Sequence, residues 1–340
     1  MTAARQERSD IQTGETGTGT GGIQTGTTAK VAVVGAGSVG ATLAYAVLIR
    51  GAAREVVLYD VDTAKVRAQA LDLAHGIQFM PMARVEGSDD VAVCAGADVV
   101  VVTAGAKQQP GQTRMDLAAK TVGLARTLMP QLVEVAPQAA YLMVTNPVDV
   151  VTYAALRYSG LPRAQVLGSG AVLDSSRFRY LIADHVGVAV QNVHAYVAGE
   201  HGDTAVPLWS SATIGGMPLL ELDPFDGRKP LTQEVRDAIA HDVVHSAYDI
   251  IAGKGATAYA IGLAASRIVE AITNDEHRIM PVSSLVNGYR GIDDVCLSVP
   301  TMVSHDGAGT LLPTPMSDAE LTALHRSADA LRAAVGQVGL

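Results

Sequence analysis

Cysteine is almost absent from this 340-residue chain. Cys94 and Cys296 are the only two, and they stand at no metal-ligand or redox spacing. That argues against a disulfide framework or a thiolate metal centre. Each lies in an apolar run ("VAVCAG", "DDVCLSV") and reads as a core residue in a reducing compartment. A basic excess is missing too. With 25 Lys and Arg against 34 Asp and Glu, the net charge is −9, the wrong sign for a general nucleic-acid binder. No apolar run approaches the ~18 residues that span a bilayer. The opening "MTAARQERSDIQ" lacks the apolar stretch of a secretory signal. Together these absences predict a cytoplasmic protein with neither a membrane nor a nucleic-acid partner. What is present is 48% hydrophobic and only 17% charged residues, enough for a large core and two ordinary domains.

Residues 1–29 form a compositional zone of their own. Their "TGETGTGTGGIQTGTT" has almost nothing to bury, so a disordered tail is expected. From Lys30 the chain alternates short β-branched runs ("KVAVVGAG", "EVVLYD", "ADVVVVTAG", "AAYLMVTN") with helical stretches such as "VGATLAYAVLIR" and "TAKVRAQALDLAHG". Continuously apolar strands separated by helices predict an α/β architecture, a doubly wound parallel sheet covered on both faces. Beyond about residue 168 the pattern turns mixed. A helix holding "LDSSRFRYLIADHVG" precedes strand-like "NVHAYVAG" and "AVPLWSSATI". Helices from about 232 to 252 and 256 to 274 follow, then a strand-rich part and a last helix from about 317. The expected units are therefore 30–168 and an α+β unit over 169–337. Tyr45 and Trp209 are expected in the core. The pair His241 and His245 is expected on a solvated helix face, since no third ligand accompanies it.

"GAGSVG", Gly35 to Gly40, follows a strand, opens a helix, and precedes Asp60 at the end of the next strand. The glycine pattern alone is weak, but that context is what a dinucleotide fingerprint requires. Gly35 permits the turn, Gly37 admits a pyrophosphate to the backbone, and Gly40 allows helix and strand to pack closely. Asp60 would accept hydrogen bonds from ribose hydroxyls, and together with Asp62 it would repel a 2′-phosphate. NAD is therefore favoured over NADP.

Four further segments carry polar groups where an open α/β sheet binds ligands: "TAGAKQQPGQTR", "TNPVD", "LDSSRFR" and "GEHGDT". His201, between glycines and acids, suits a proton carrier better than a packing residue, although a turn histidine remains open. Asp174 could orient its ring, but sequence leaves their contact undecided.

With these segments in order, together with "GSGAVLDSSRFR", "NVHAYVAGEHGD" and "KGAT", the chain resembles the lactate/malate dehydrogenase family over nearly all of residues 30–335. Its bacterial L-lactate dehydrogenases are the nearest branch. The resemblance implies a Rossmann-type domain followed by a substrate domain, and NAD-dependent interconversion of pyruvate and L-lactate. It makes His201 the general acid/base, Asp174 its partner and Arg177 the clamp on the substrate carboxylate. Arg114 would ride on a closing loop to polarise the ketone. Asn146 would lie near the substrate oxygen, Thr257 would line the pocket, and Gln108 would face the substrate's variable end. For NAD it adds Val39, Lys65, Gly105, Ala106, Thr127, Val144, Asn146 and Ser169 to the glycines and Asp60. A homotetramer with fructose 1,6-bisphosphate held by Arg179 and His194 is also implied, as is a glycolytic or fermentative setting. A malate-type or bulkier 2-hydroxy acid dehydrogenase and a non-catalytic NAD-binding protein are the rival readings. A binding protein has no need for Arg114, Asp174, Arg177 and His201 together.

Overall fold

The computed structural model describes residues 28–105, 114–223 and 230–340, apart from the side chains of 114–116. Most of the Gly/Thr-rich head, Ala106, Gln108 and the Arg114 side chain thus lie outside the described residues.

The first half is built of strand–helix units. Strand β1 (Lys30–Val34) leads to α1 (Ser38–Arg50), and β2 (Glu55–Tyr59) to α2 (Thr63–His75) and β3 (Arg84–Ser88). Strand β4 (Val99–Val102) precedes α3 (Arg114–Val135), β5 (Ala140–Met143) precedes α4 (Val148–Ser159), and β6 (Val166–Gly168) precedes α5 (Val172–Val186). The six strands run parallel in the order β3-β2-β1-β4-β5-β6. Strand order reverses between β1 and β4, which opens a crevice at their C-terminal ends.

Short strands open the second half: β7 (Val193–His194), β8 (Val197–Ala198), β9 (Val206–Pro207), β10 (Thr213–Ile214) and β11 (Met217–Pro218). Then come α6 (Gln233–Lys254), α7 (Tyr259–Thr273), β12 (Arg278–Met280), β13 (Ser283–Tyr289), β14 (Ile292–Ser298), β15 (Thr301–Ser304), β16 (Gly307–Leu311) and α8 (Asp318–Gln337). The expected single strand "AVPLWSSATI" is broken into β9 and β10, because the chain turns at Trp209, whose carbonyl accepts the Ala212 N–H. The β13–β14 hairpin does not stay within its own half. Ser283 pairs antiparallel with Gly168, adding two strands to the edge of the first-half sheet.

Alternation along the strands explains the continuous apolar runs. Val31, Val33, Val99 and Val101 face Leu43 and Val47 of α1 and Ile268 and Val269 of α7. Their neighbours Ala32, Val34, Val100 and Val102 face Met129 and Leu132 of α3. Val31–Val34 of β1 and all of β4 are therefore buried, as the centre of a parallel sheet with helices on both faces demands. Cys94 and Cys296 are buried as expected. Tyr45 is not in the core. It is 51% exposed, beside the equally exposed Ile49, because α1 turns Leu43, Val47 and Leu48 inward and this stripe outward. Trp209 is partly buried, edge-on to Phe178 at 4.7 Å. His241 and His245 are exposed, their rings stacked at 4.0 Å. No described helix is long and apolar enough to cross a membrane.

Candidate active site

At Gly35 and Gly40 the backbone leaves no room for a side chain. Gly35 has φ +102°, and a Cβ there would lie 2.8 Å from Ala104 N. A Cβ on Gly40 would meet Gly35 O at 1.9 Å, so helix and strand approach as closely as glycine allows. Gly37, at the N-cap of α1, is different. Nothing described lies within 4 Å of its would-be Cβ, which leaves an open approach to the amides of the helix N-terminus. A phosphate fits that cradle.

Asp60 closes the loop from the side. Its Oδ2 accepts the Ala36 N–H at 2.7 Å and pairs with Lys65 Nζ at 2.7 Å, while Oδ1 accepts the Asp62 N–H at 3.0 Å. Burial raises its pKa, but the Lys65 and backbone bonds outweigh that and hold it below the ordinary aspartate range. An ionised acid thus stands where the ribose of a dinucleotide would follow the phosphates.

Across the crevice, Thr103 Oγ1 donates to Gly35 O at 2.9 Å, tying the end of β4 to the glycine loop. Gly105 packs on Thr145, where a Cβ would sit 2.2 Å from Thr145 Cγ2. Val144 and Ser169 are buried at the ends of β5 and β6, and Asn146 is exposed just before α4, in a cis peptide bond with Pro147. Val39 packs partly buried against the core. Thr127 is exposed on α3 and donates back to Gly123 O. Thr257 is half-buried in the turn between α6 and α7.

The dyad left undecided by sequence is present. His201 Nδ1 lies 2.6 Å from Asp174 Oδ2, so Nδ1–H donates to the carboxylate and Nε2 is left to carry the working proton. Residues far apart in sequence build this contact. Asp174 sits in the first turn of α5, and Ser175 Oγ accepts the Val197 N–H at 2.8 Å, which fixes β8 against that helix. The chain then runs through Gly199, which exchanges backbone hydrogen bonds with Ser298, to Glu200, whose N–H donates to Ser327 Oγ at 2.7 Å. Gly199 is at φ +87°, and a Cβ there would strike Ser327 Oγ at 2.7 Å.

The electrostatics favour a charged imidazole. Burial pulls the His201 pKa down, but the charge and hydrogen bond of Asp174, then the charge of Asp149, push it up to about 9, with Arg177 opposing. Arg177 lies beside the dyad, its Nη1 3.4 Å from Asp174 Oδ1 and hydrogen-bonded to the Val243 carbonyl of α6. The site is thus a guanidinium and a protonatable imidazole sharing one carboxylate, with the imidazole 27% exposed.

Arg179 leaves the same helix in another direction. It donates to Ala195 O at 2.7 Å and stacks over Tyr196. With the exposed His194 it lines a separate cavity of about 690 Å³.

One residue of the site escaped the sequence reading. Asp149, buried in the first turn of α4, accepts the His201 backbone N–H at 2.8 Å. Its only signal was the last letter of "VTNPVD", an acid at the start of a helix that follows a strand.

Comparison with known proteins points to one family. Residues 29–168 match the family described as lactate/malate dehydrogenase, NAD binding domain, and residues 171–339 match its alpha/beta C-terminal domain. An L-lactate dehydrogenase of Bifidobacterium animalis subsp. lactis is 52% identical over 91% of this chain and 97% of its own length. One from Synechococcus sp. is 45% identical over 91% and 99%. Among solved structures, the ligand-bound minor L-lactate dehydrogenase of Enterococcus mundtii superposes with a TM-score of 0.88 at 37% identity. That match covers 92% of this chain and 99% of the other.

Proposed function

The chain belongs to the lactate/malate dehydrogenase family, and from that premise we propose that it is an NAD-dependent L-lactate dehydrogenase interconverting pyruvate and L-lactate. The observation that carries the reading is the His201–Asp174 contact of 2.6 Å with Arg177 against the same carboxylate. In pyruvate reduction Arg177 takes the substrate carboxylate through the planar fork of its guanidinium. His201 gives its Nε2 proton to the ketone oxygen and becomes neutral, keeping Nδ1–H on Asp174, and lactate oxidation returns the proton. Bound NADH supplies the hydride. Gly35, Gly37 and Gly40 would hold its pyrophosphate and Asp60, with Lys65, its adenine ribose. Val39, Gly105, Ala106, Thr127, Val144, Asn146 and Ser169 complete that set. Arg114 would polarise the ketone when its loop closes and expels water; Thr257 would line the pocket and Asn146 would hydrogen-bond near the substrate oxygen. The test is kcat/KM with NADH for pyruvate, oxaloacetate and 2-oxoisocaproate. Preference for either of the last two would move the enzyme to another substrate class.

The pH dependence follows from the His201 proton. Pyruvate reduction needs the charged ring, so its kcat/KM should hold through neutrality and fall as pH rises through about 9. Lactate oxidation needs the neutral ring and should climb over the same interval. The sign for stability agrees. A histidine raised above its unfolded value of ~6.5 stabilises fully below that pH and loses its contribution as pH passes its folded pKa. A reduction rate that instead declines between pH 6 and 7 would contradict this charge arrangement.

Regulation and assembly belong to the same reading. The cavity holding Arg179 and His194 is also lined by Arg50, Arg267 and Arg278. Those three pair with Glu270 or Glu276, whereas Arg179 donates to a carbonyl and has no acidic partner among the described residues. Fructose 1,6-bisphosphate at this site, across a two-fold of a homotetramer, would relieve repulsion between like charges. Exposed Tyr45 and Ile49 on α1, and Tyr259 and Leu263 on α7, support burial between subunits. Fructose 1,6-bisphosphate is expected to lower the pyruvate KM of the wild type, and Arg179→Gln to abolish that response. An unchanged wild-type KM at low enzyme concentration would leave Arg179 a structural residue. A soluble glycolytic couple fits a cytoplasmic enzyme.

A further inference from the structure

Asp149 is 2% exposed, yet it has little of what a buried carboxylate needs. Its Oδ2 accepts one hydrogen bond, the His201 N–H at 2.8 Å. Its Oδ1 has no hydrogen-bond partner among the described residues, and neither has Ser283 Oγ close by. No described lysine or arginine pairs with it. Burying a charge on such terms is costly, and an asparagine or serine would accept the same N–H without that cost. As structure alone the acid is a poor choice. Its negative charge raises the pKa of the buried Cys296 thiol, which stays neutral either way, and favours the proton on the His201 ring.

We propose that Asp149 is a positioning residue of this dehydrogenase, fixing the His201 main chain through one oxygen while its buried negative charge favours the charged form of the His201 ring. The proposal rests on the dehydrogenase reading above.

The surrounding charges make the arithmetic simple. Facing the imidazole are Asp174 and Arg177 from α5 and Asp149 from α4. Two carboxylates oppose one guanidinium; Asp174 acts most strongly, Asp149 next and Arg177 least. Around Asp149 itself lie Glu200 and His201 from the loop after β8, Ser283 of β13 and Cys296 of β14. Burial raises the Asp149 carboxyl to about 6. The nearby Ser283 hydroxyl, the His201 N–H and the charge of His201 restrain that rise, and Glu200 adds to it. Asp149 is therefore ionised through neutrality, where the His201 proton is used. The position of the acid, just after the Asn146–Pro147 peptide that follows β5, also joins the His201 loop to the C-terminal end of the sheet's interior strands.

The test is Asp149→Asn, an isostere that keeps an oxygen for the His201 N–H and removes the charge. The His201 ring is followed by NMR titration, its signal assigned by its loss in His201→Asn. Its midpoint should fall by about one pH unit in Asp149→Asn, the lower end for loss of one nearby opposite charge. The alkaline limb of pyruvate kcat/KM should fall with it, and the melting temperature at neutral pH should not drop, because a buried charge has been removed. An unmoved midpoint in folded, NADH-binding protein overturns the proposal, whatever happens to turnover. Wild-type protein that fails to reduce pyruvate overturns the dehydrogenase reading, while the titration still decides the role of Asp149. If Asp149→Asn does not fold, Asp149→Ser is titrated in its place with the same fall expected. Loss of folding in both variants makes Asp149 structural and overturns the proposal as well.

Discussion

Replacing His201 by asparagine is expected to lower kcat for pyruvate reduction at least ~10²-fold, the lower end for a lost general acid–base group. Asparagine retains polar atoms that can meet Asp174 but has no proton to give at neutral pH. The backbone is untouched, so the His201 N–H still reaches Asp149, and Glu200 still reaches Ser327. Gly35, Gly40 and Asp60, among the groups that would hold the dinucleotide, are fixed by contacts of their own with Ala104, Thr103 and Lys65. NADH affinity, read by fluorescence titration, should therefore stay at the wild-type value while turnover collapses. A variant with near-normal turnover would remove His201 from the proton step. One that loses NADH as well would show that the loop, and not the imidazole, had been disturbed.

The ease with which the cofactor side was read, and the difficulty of the substrate side, have one physical origin. Gly35 and Gly40 are dictated locally, by a positive φ and by a close approach to the adjoining strand and turn, so their spacing is written into six consecutive letters. Alternate valines in β1 and β4 likewise announce a sheet covered on both faces. The dyad is not local. Asp174 and His201 are 27 residues apart and meet because Ser175 holds Val197 and because Ser298 and Ser327 hold Gly199 and Glu200. No spacing rule encodes such a set of backbone hydrogen bonds. Asp149 was passed over for the same reason, since its partner is a main-chain N–H with no letter of its own. Tyr45 misled because the helix around it is apolar on both faces, and hydrophobicity does not say which face another helix will cover. The β13–β14 hairpin was legible as strands, but not as an extension of a sheet formed more than a hundred residues earlier.

Changing Gln108 to arginine is expected to move preference from pyruvate towards oxaloacetate. Gln108 lies outside the described residues; the expectation follows from the charges of the substrates. Pyruvate carries one carboxylate, and Arg177, seated against Asp174 and the Val243 carbonyl, is the proposed guanidinium for it. Oxaloacetate carries a second carboxylate at the far end, where the resemblance places Gln108. A glutamine amide can donate a hydrogen bond there but cannot neutralise a charge, and the proposed closure of the loop would remove the water that otherwise does. An unpaired carboxylate in a closed site costs about 3–5 kcal/mol, which disfavours oxaloacetate by roughly two to four powers of ten. An arginine at residue 108 supplies the missing charge and should recover much of that difference. It also introduces an unpaired cation against the methyl group of pyruvate, so pyruvate should lose efficiency at the same time. The measurement is kcat/KM for both acids in wild type and Gln108→Arg. An unchanged ratio would mean that the loop does not bring residue 108 to the substrate, and the choice between one and two carboxylates would then have to be made elsewhere in the site.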